Sequence, residues 1–333
     1  MALLAVDIGG THARFAVATP GPDGRPRLEA VVRLKVADHA GLDRALAAYA
    51  GRLGRPLPKR AAIAVAGPVE GEVVRLTNSP WVLRPALLAG QIGLESVCII
   101  NDFEAVAQAV EVAGPGELQP LAGPAAGLPQ AGVVTVLGPG TGLGVAMLVR
   151  GPPAARVLPT EGGHIDFAPL DRLEDRILET LRARFGRVSV ERVVAGPGLA
   201  NIRAALAAIE GQPAAPMTDA ALWQLARAGD DPLARAALDR WCLALGSVAG
   251  DLALAQGASA VVLAGGILPR LGDFLARSGF HARFVAKGRF ADRMATLPLF
   301  VLAMAEPGLV GAAAAGLAAA GLTKANTGGG KEK

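Results

Sequence analysis

Asn101 and Asp102 follow the apolar run 97–100, where a strand pattern gives way to a helix pattern. That junction is a usual location for ligand-facing groups in α/β sheets. Asp102 could act as a general base, and its residue type is equally a favoured helix cap; the sequence leaves both roles open. Further along, Thr160-Glu-Gly-Gly-His-Ile-Asp166 sets Glu161 and His164 three apart across two glycines. A carboxylate and an imidazole so spaced can reach one small polar molecule, and a polyol suits them because a carboxylate accepts hydrogen bonds from adjacent hydroxyls. They make a poor metal set: the four histidines (His12, His39, His164, His281) are scattered and no cysteine is near. Glu191 alone reads as a surface or helix-start charge.

Two glycine turns could hold phosphate. With 43 glycines in 333 residues, about six Gly-Gly pairs are expected by chance and five occur, so a pair alone says nothing. Context says more. Gly9, Gly10 and Thr11, and the run 138–144 containing Gly140, Thr141 and Gly142, directly follow apolar strands and include a threonine. Glycine lets successive N–H groups converge on an anion, and the hydroxyl adds a donor; ordinary hairpins remain the alternative. Asp7, placed among Leu4, Val6 and Ile8, needs a cation, water or hydrogen bonds. Mg²⁺ would suit it, since that ion binds through one or two carboxylates plus water and phosphate; capping the turn is the other role open to it. There is no Gly-x-x-x-x-Gly-Lys-Ser/Thr, and the spacing after Gly138 differs from a dinucleotide fingerprint.

The elements that must position these residues are legible as α/β alternation. Runs 3–8, 13–18 and 28–34 predict an antiparallel meander. Asp38 predicts the start of a helix over 39–53, followed by strands at 61–66 and 97–100 and a helix over 103–110. Glycine and proline gather over 114–132, which predicts a boundary between lobes. Beyond it the first pattern returns: 6–18 can be laid on 136–148 without a gap, matching Gly10 to Gly140 and Thr11 to Thr141. Helices are predicted near 173–185, 219–227 and 232–255, then a buried strand at 260–264 ending in Gly265 and Gly266.

Composition narrows the function. The chain is 52% hydrophobic and 19% charged, enough for a substantial core and against disorder. Aromatics are 4% and the net charge is +4 without a basic block, which disfavours nucleic acid. Cys98 and Cys242 read as two buried thiols in a reducing compartment. No signal-peptide pattern opens the chain, and its longest apolar stretch, 309–322, is too short for a bilayer. A soluble cytoplasmic protein is expected.

The residues together resemble one family. Asp7-Ile-Gly-Gly-Thr-His-Ala-Arg14, Ala66-Gly-Pro-Val-Glu-Gly71, Thr77-Asn-Ser-Pro-Trp81, Ile100-Asn-Asp-Phe103, Gly138-Pro-Gly-Thr-Gly-Leu-Gly144, Glu161-Gly-Gly-His-Ile-Asp-Phe-Ala-Pro169, Glu191-Arg-Val-Val-Ala-Gly-Pro-Gly198, Ala264-Gly-Gly-Ile-Leu-Pro-Arg270 and Lys287-Gly-Arg-Phe290 are similar, in order, to the bacterial glucokinases of the hexokinase and actin superfamily. The resemblance implies ATP-dependent phosphorylation of glucose at C6 with Mg²⁺, in a cleft between two lobes of an actin-like, ribonuclease H-like duplicated α/β fold. It implies Asp102 as base; Asn101, Glu161, His164, Glu191, Thr77 and Asn78 as glucose ligands; and Asp7 as the Mg²⁺ carboxylate, acting through water. Gly9, Gly10, Thr11, Gly140, Thr141 and Gly142 correspond to the phosphate turns, and Gly265 and Gly266 to the adenosine motif. It further implies a small lobe of 1–113 with 305–322, a large lobe of 114–304, a frayed tail over 323–333, and a homodimer. His12 replaces a common asparagine and Pro139 a small residue. The cysteine motif of the ROK group is absent. A kinase for another hexose or amino sugar, and an idle sugar-binding regulator, are the competing readings; retention of Asp102 and Asp7 counts against the second.

Overall fold

The computed structural model describes residues 2–67, 69, 71–76 and 79–321. The chain divides into two compact units, one formed by the segments up to Pro115 and from Met304, the other by Gly116–Ala303.

In the first unit, β1 (Leu3–Ile8), β2 (His12–Pro20) and β3 (Pro26–Lys35) form the predicted meander. α1 (Leu42–Leu53) starts later than a cap at Asp38 predicts, because 36–38 close a separate 3-10 turn and the chain enters the helix from extended Gly41. Gly54, at φ 66°, ends it. β4 (Arg60–Val65) lies parallel to β1 and is buried beyond its first residue, as a covered parallel strand requires. A ribbon of β5 (Val74–Arg75) and β6 (Val82–Leu83) precedes α2 (Pro85–Gln91), β7 (Ser96–Asn101) and α3 (Asp102–Glu111). The sheet order is β3-β2-β1-β4-β7. Alternation along β1 sends Leu4, Val6 and Ile8 into the core with Leu42, Leu46 and Tyr49, while Leu3 and Ala5 enter a separate core on the opposite face. Asp7 shares the parity of Leu3 and Ala5, so its carboxylate does not lie among Leu4, Val6 and Ile8 as the sequence reading places it.

The second unit opens with β8 (Leu118–Ala122), a short strand inside the glycine- and proline-rich stretch that reads as aperiodic. Then come β9 (Gly132–Pro139), β10 (Leu143–Arg150), β11 (Arg156–Thr160), α4 (Arg172–Phe185), α5 (Glu191–Val194), α6 (Gly198–Glu210), α7 (Asp219–Ala228), α8 (Pro232–Gln256) and β12 (Ala260–Leu263). α9 (Leu268–Leu271), α10 (Asp273–Arg277), α11 (Phe280–Val285), α12 (Ala291–Ala295) and β13 (Leu299–Leu302) complete it. The sheet order is β11-β10-β9-β12-β13-β8. Its first five strands repeat the first sheet in order and direction: two antiparallel pairings, then two parallel ones.

The duplication is real in the fold but not gapless. The first hairpin leaves 9–12 between the paired Ile8 and Ala13, whereas the second leaves only 140–142 between Pro139 and Leu143. One residue fewer reverses the facing on one arm of the hairpin, so an ungapped superposition cannot keep both strands in register. Pro139 sits at the end of β9, a position a strand tolerates, rather than inside the turn.

Helix ends in this unit follow local chemistry. The Asp171 carboxylate caps α4 by accepting from the Leu173 and Glu174 amides at 3.1 and 2.9 Å, and it also binds Arg240 and Arg283 at 2.5 and 2.7 Å. Burial acts against its charge, but the Glu174 amide and the two arginines hold the Asp171 carboxyl below its ordinary range. Buried Glu174 accepts from Arg283 at 3.2 Å and from the Leu170 amide at 2.7 Å. Cys242 is buried, which pushes its thiol up to about 12. Cys98, on edge strand β7, is only half-buried, contrary to the sequence reading.

α13 (Pro307–Ala319) belongs to the first unit. It is apolar on every side, as a fully covered helix is, and packs on α3, β1 and β4. Small residues permit the approach: a Cβ on Gly311 would collide with the Ala105 carbonyl, and one on Gly316 would lie 2.6 Å from Ala62 and Leu3. Among the described residues no helix is long and apolar enough to cross a membrane. The tail 323–333 lies outside the described residues.

Candidate active site

The first unit positions Asn101 and Asp102 through a helix start. Asn101, not Asp102, is the cap of α3: its Oδ1 accepts from the Phe103 and Glu104 amides at 2.8 and 3.1 Å, and its Nδ2 donates to the Gly67 carbonyl at 3.1 Å. The second Nδ2 hydrogen is not used by these bonds. Asp102 is the first helical residue, so the capping alternative for it does not hold. Thr77 and Asn78 lie outside the described residues.

Asp7 faces its cross-strand neighbour Arg14, whose Nη1 donates to Oδ2 at 2.9 Å. Arg14 Nε lies 2.6 Å from Glu306, the residue before α13, which takes a left-handed φ of 52°. Burial pushes the Asp7 carboxyl above its ordinary range, with Arg14 acting against the rise. Gly308 borders the group so closely that a Cβ there would stand 2.9 Å from Asp7 Cγ. Sequence reasoning assigned roles to neither Arg14, Glu306 nor Gly308. The register of a hairpin with a four-residue turn could have found the first, but only tertiary packing brings the other two. A single hard carboxylate suits Mg²⁺ held mainly by water and phosphate, and among the described residues no group of three or more acidic, histidine or cysteine side chains could hold a metal outright.

The turn at 9–12 is closed by the Gly9 amide donating to the His12 carbonyl at 3.0 Å. In the second unit the Gly140 amide donates to the Gly142 carbonyl at 2.8 Å. A Cβ on Gly9 would meet His12 only at ordinary contact distance, one on Gly140 only Gly142 at 4.0 Å, and one on Gly266 nothing within 4 Å. Described protein atoms do not demand glycine at these three places, which leaves room for a ligand's close approach. Gly265, at φ 106°, does need to be glycine: a Cβ there would stand 2.5 Å from the Pro139 carbonyl oxygen, and the Ala264 amide donates to the Leu137 carbonyl. The turn at Gly265 and the end of β9 that leads into the turn 140–142 are thus packed together.

Glu191 and the Glu161–His164 turn both adjoin Leu143, the residue after the turn 140–142. Gly162 and Gly163 bring the Glu161–His164 turn against β10, where a Cβ on Gly163 would collide with the Leu143 carbonyl. Glu161 and His164 approach to 3.8 Å and both are exposed. The 188–190 segment pairs with 165–167 through Phe167 to Val188 and Val190 to Ile165 hydrogen bonds, which carries Glu191 to the same place. Glu191 Oε2 accepts from the Leu143 amide at 3.0 Å. The second unit therefore brings together Glu161, His164, Glu191, the turn 140–142 and Gly265; the first brings together Asn101, Asp102 and the Gly67 strand end, with Asp7 on β1 beside α13.

The chain is similar to known proteins along most of its length. The pattern of the family described as Glucokinase matches residues 4–319. A glucokinase of Zymomonas mobilis is 55% identical over 315 residues, covering 95% of this chain and 97% of that one. A glucokinase of Paramagnetospirillum magneticum is 42% identical, covering 93% and 96%. The crystal structure of a glucokinase from an Antarctic psychrotroph matches with a TM-score of 0.84 at 35% identity, covering 95% of this chain and 98% of that chain. The expected actin-like sugar-kinase fold is thereby shared, and the chain belongs to the glucokinase family.

Proposed function

We propose that this enzyme transfers the γ-phosphoryl group of ATP to the C6 hydroxyl of D-glucose, giving glucose 6-phosphate and ADP, as the entry step of glycolysis. The observation that carries the reading is that Glu191 and the turn bearing Glu161 and His164 both adjoin Leu143, beside the turn 140–142. Hydroxyl-accepting groups there adjoin backbone donors suited to phosphate. Full-length kinship with bacterial glucokinases supports it.

Phosphoryl transfer asks a protein chiefly for positioning and charge stabilisation. Asn101, Glu161, His164 and Glu191, with Thr77 and Asn78, bind the hydroxyls and orient the 6-hydroxyl. Asp102 accepts its proton as the oxygen bonds to the γ-phosphorus and the bond to ADP breaks. The turns 9–11 and 140–142 take the phosphate oxygens through the amides of Gly10, Thr11, Thr141 and Gly142, since the Gly9 and Gly140 amides close the turns, and Gly265 and Gly266 border the adenosine. Bound Mg²⁺ would neutralise charge on the phosphates, with Asp7 holding its water shell. The working form is a cytoplasmic homodimer that binds neither membrane nor nucleic acid.

Asp102→Asn is expected to lower kcat at least ~10²-fold, the scale of a lost general base, while glucose still binds; near-normal turnover in a pure preparation would remove Asp102 from that role. In a coupled assay across hexoses with ATP, ADP and polyphosphate as donors, glucose with ATP should give the highest kcat/KM. A higher value for mannose, glucosamine or another donor would overturn the assignment.

A further inference from the structure

Glu191 does two things at once. Its Oε2 accepts the Leu143 amide at 3.0 Å, and a Cβ on Gly142 would run into the same oxygen. The other flank of the turn is held from the same segment, where the Gly196 amide donates to the Gly140 carbonyl at 2.8 Å. That segment is fixed from below: Val193 and Val194 are buried, and the indoles of Trp241 and Trp223 donate to the Ala195 and Gly196 carbonyls at 3.1 and 3.2 Å. The turn 140–142 is therefore clasped at both ends by 191–196, and one clasp is a carboxylate with a second oxygen to spare.

We propose that Glu191 is a positioning residue that couples sugar occupancy to the second phosphate turn, with Oε2 holding the Leu143 amide while Oε1 takes a glucose hydroxyl. This rests on the reading of Glu191 as a sugar ligand. A hydroxyl bound at Oε1 fixes the carboxylate, and a fixed carboxylate holds the Leu143 amide and with it the turn whose Thr141 and Gly142 amides are left for phosphate. By linkage, nucleotide bound at the turn must strengthen glucose binding by the same factor.

The test separates the two oxygens. In Glu191→Gln the amide oxygen still accepts from Leu143, so the turn stays clasped, while Glu191→Ala removes both functions. Titrations of each folded variant with a non-hydrolysable ATP analogue, without sugar, should leave Glu191→Gln within about twofold of the parent and weaken Glu191→Ala about tenfold, inside the usual coupling range. Gly142→Ala, in the phosphate turn, should weaken glucose binding without nucleotide, and should add nothing in a Glu191→Ala background. Equal nucleotide affinity in the Gln and Ala variants, with glucose weakened in both, would overturn the clasp and leave the sugar assignment standing. Weakened nucleotide binding with unchanged glucose affinity in both would overturn the sugar assignment, and the coupling with it.

Discussion

Gly308→Ala tests whether the start of α13 sets the position of Asp7. The added Cβ would stand 2.9 Å from Asp7 Cγ and Oδ2 and 3.1 Å from Oδ1. Ordinary carbon contacts lie at about 3.5–4.0 Å, so the carboxylate or the helix must yield by roughly 0.5–1 Å. The helix resists, because Gly311 already touches the Ala105 carbonyl. A retreat of the carboxylate stretches the 2.9 Å bond to Arg14 beyond useful length. A hydrogen bond to a charged group is worth about 1.5–3 kcal/mol, and alanine returns up to about 1 kcal/mol over glycine in a helix. The net loss is about 1–2 kcal/mol, or about 2–8 °C in Tm at roughly 2–4 °C per kcal/mol. Differential scanning calorimetry reads the loss, and the Mg²⁺-ATP dependence of rate reads the displaced carboxylate. In an Asp7→Ala background the clash is gone, so the same substitution should be neutral or stabilising. A Gly308→Ala protein that melts with the parent and turns over normally, or one equally destabilised in both backgrounds, refutes the reasoning.

Asn101→Ala should cost about 1 kcal/mol through the lost helix cap, while Asn101→Asp, which keeps the accepting oxygen, should recover most of that stability. Both lose the Nδ2–H, so glucose affinity measured by calorimetry should fall in each; recovery of affinity in the Asp variant would argue against the donor role. Asp171→Asn still caps α4 but surrenders the pairing with Arg240 and Arg283. Because Asp171 is held below its ordinary range, its contribution is complete above the ordinary carboxylate pKa of about 3.9 and fades as pH falls through the lower folded value. The Tm gap between parent and variant should therefore be widest near neutral pH and close in acid; a gap constant down to the lowest pH at which the protein folds would contradict it.

Local chemistry made most of the strands and longer helices readable. The meander 3–35 is punctuated by glycine and proline, and α4, α7 and α8 carry aspartate or threonine caps before and glycine after. What escaped was set by packing. Asp38 lost the α1 start to a 3-10 turn, and β8 emerged from aperiodic residues because β13 offered an unpaired edge. In the candidate site, the residue types of Asn101, Glu161, His164 and Glu191 were visible. The division of labour was not: that Asn101 spends one Nδ2 hydrogen on Gly67, or Glu191 one oxygen on Leu143, depends on partners one strand away or dozens of residues along the chain. The ungapped repeat failed for a related reason, since a turn's length is settled by strand pairing.

The place of α13 in the chain bears on how the protein is made. The alanine-lined face of the first sheet, with Ala5, Ala16, Ala62 and Ala64, is covered by Leu309, Ala313 and Leu317. Those residues leave the ribosome after the whole of Gly116–Ala303. Domains generally fold as units during synthesis. The continuous segment can thus mature before the unit that is split around it, and the nascent first sheet waits with one oily side bare until α13 has been made. A stalled or truncated message ending before codon 307 would release a polypeptide with a finished second half and a sticky first one, a natural client for a chaperone.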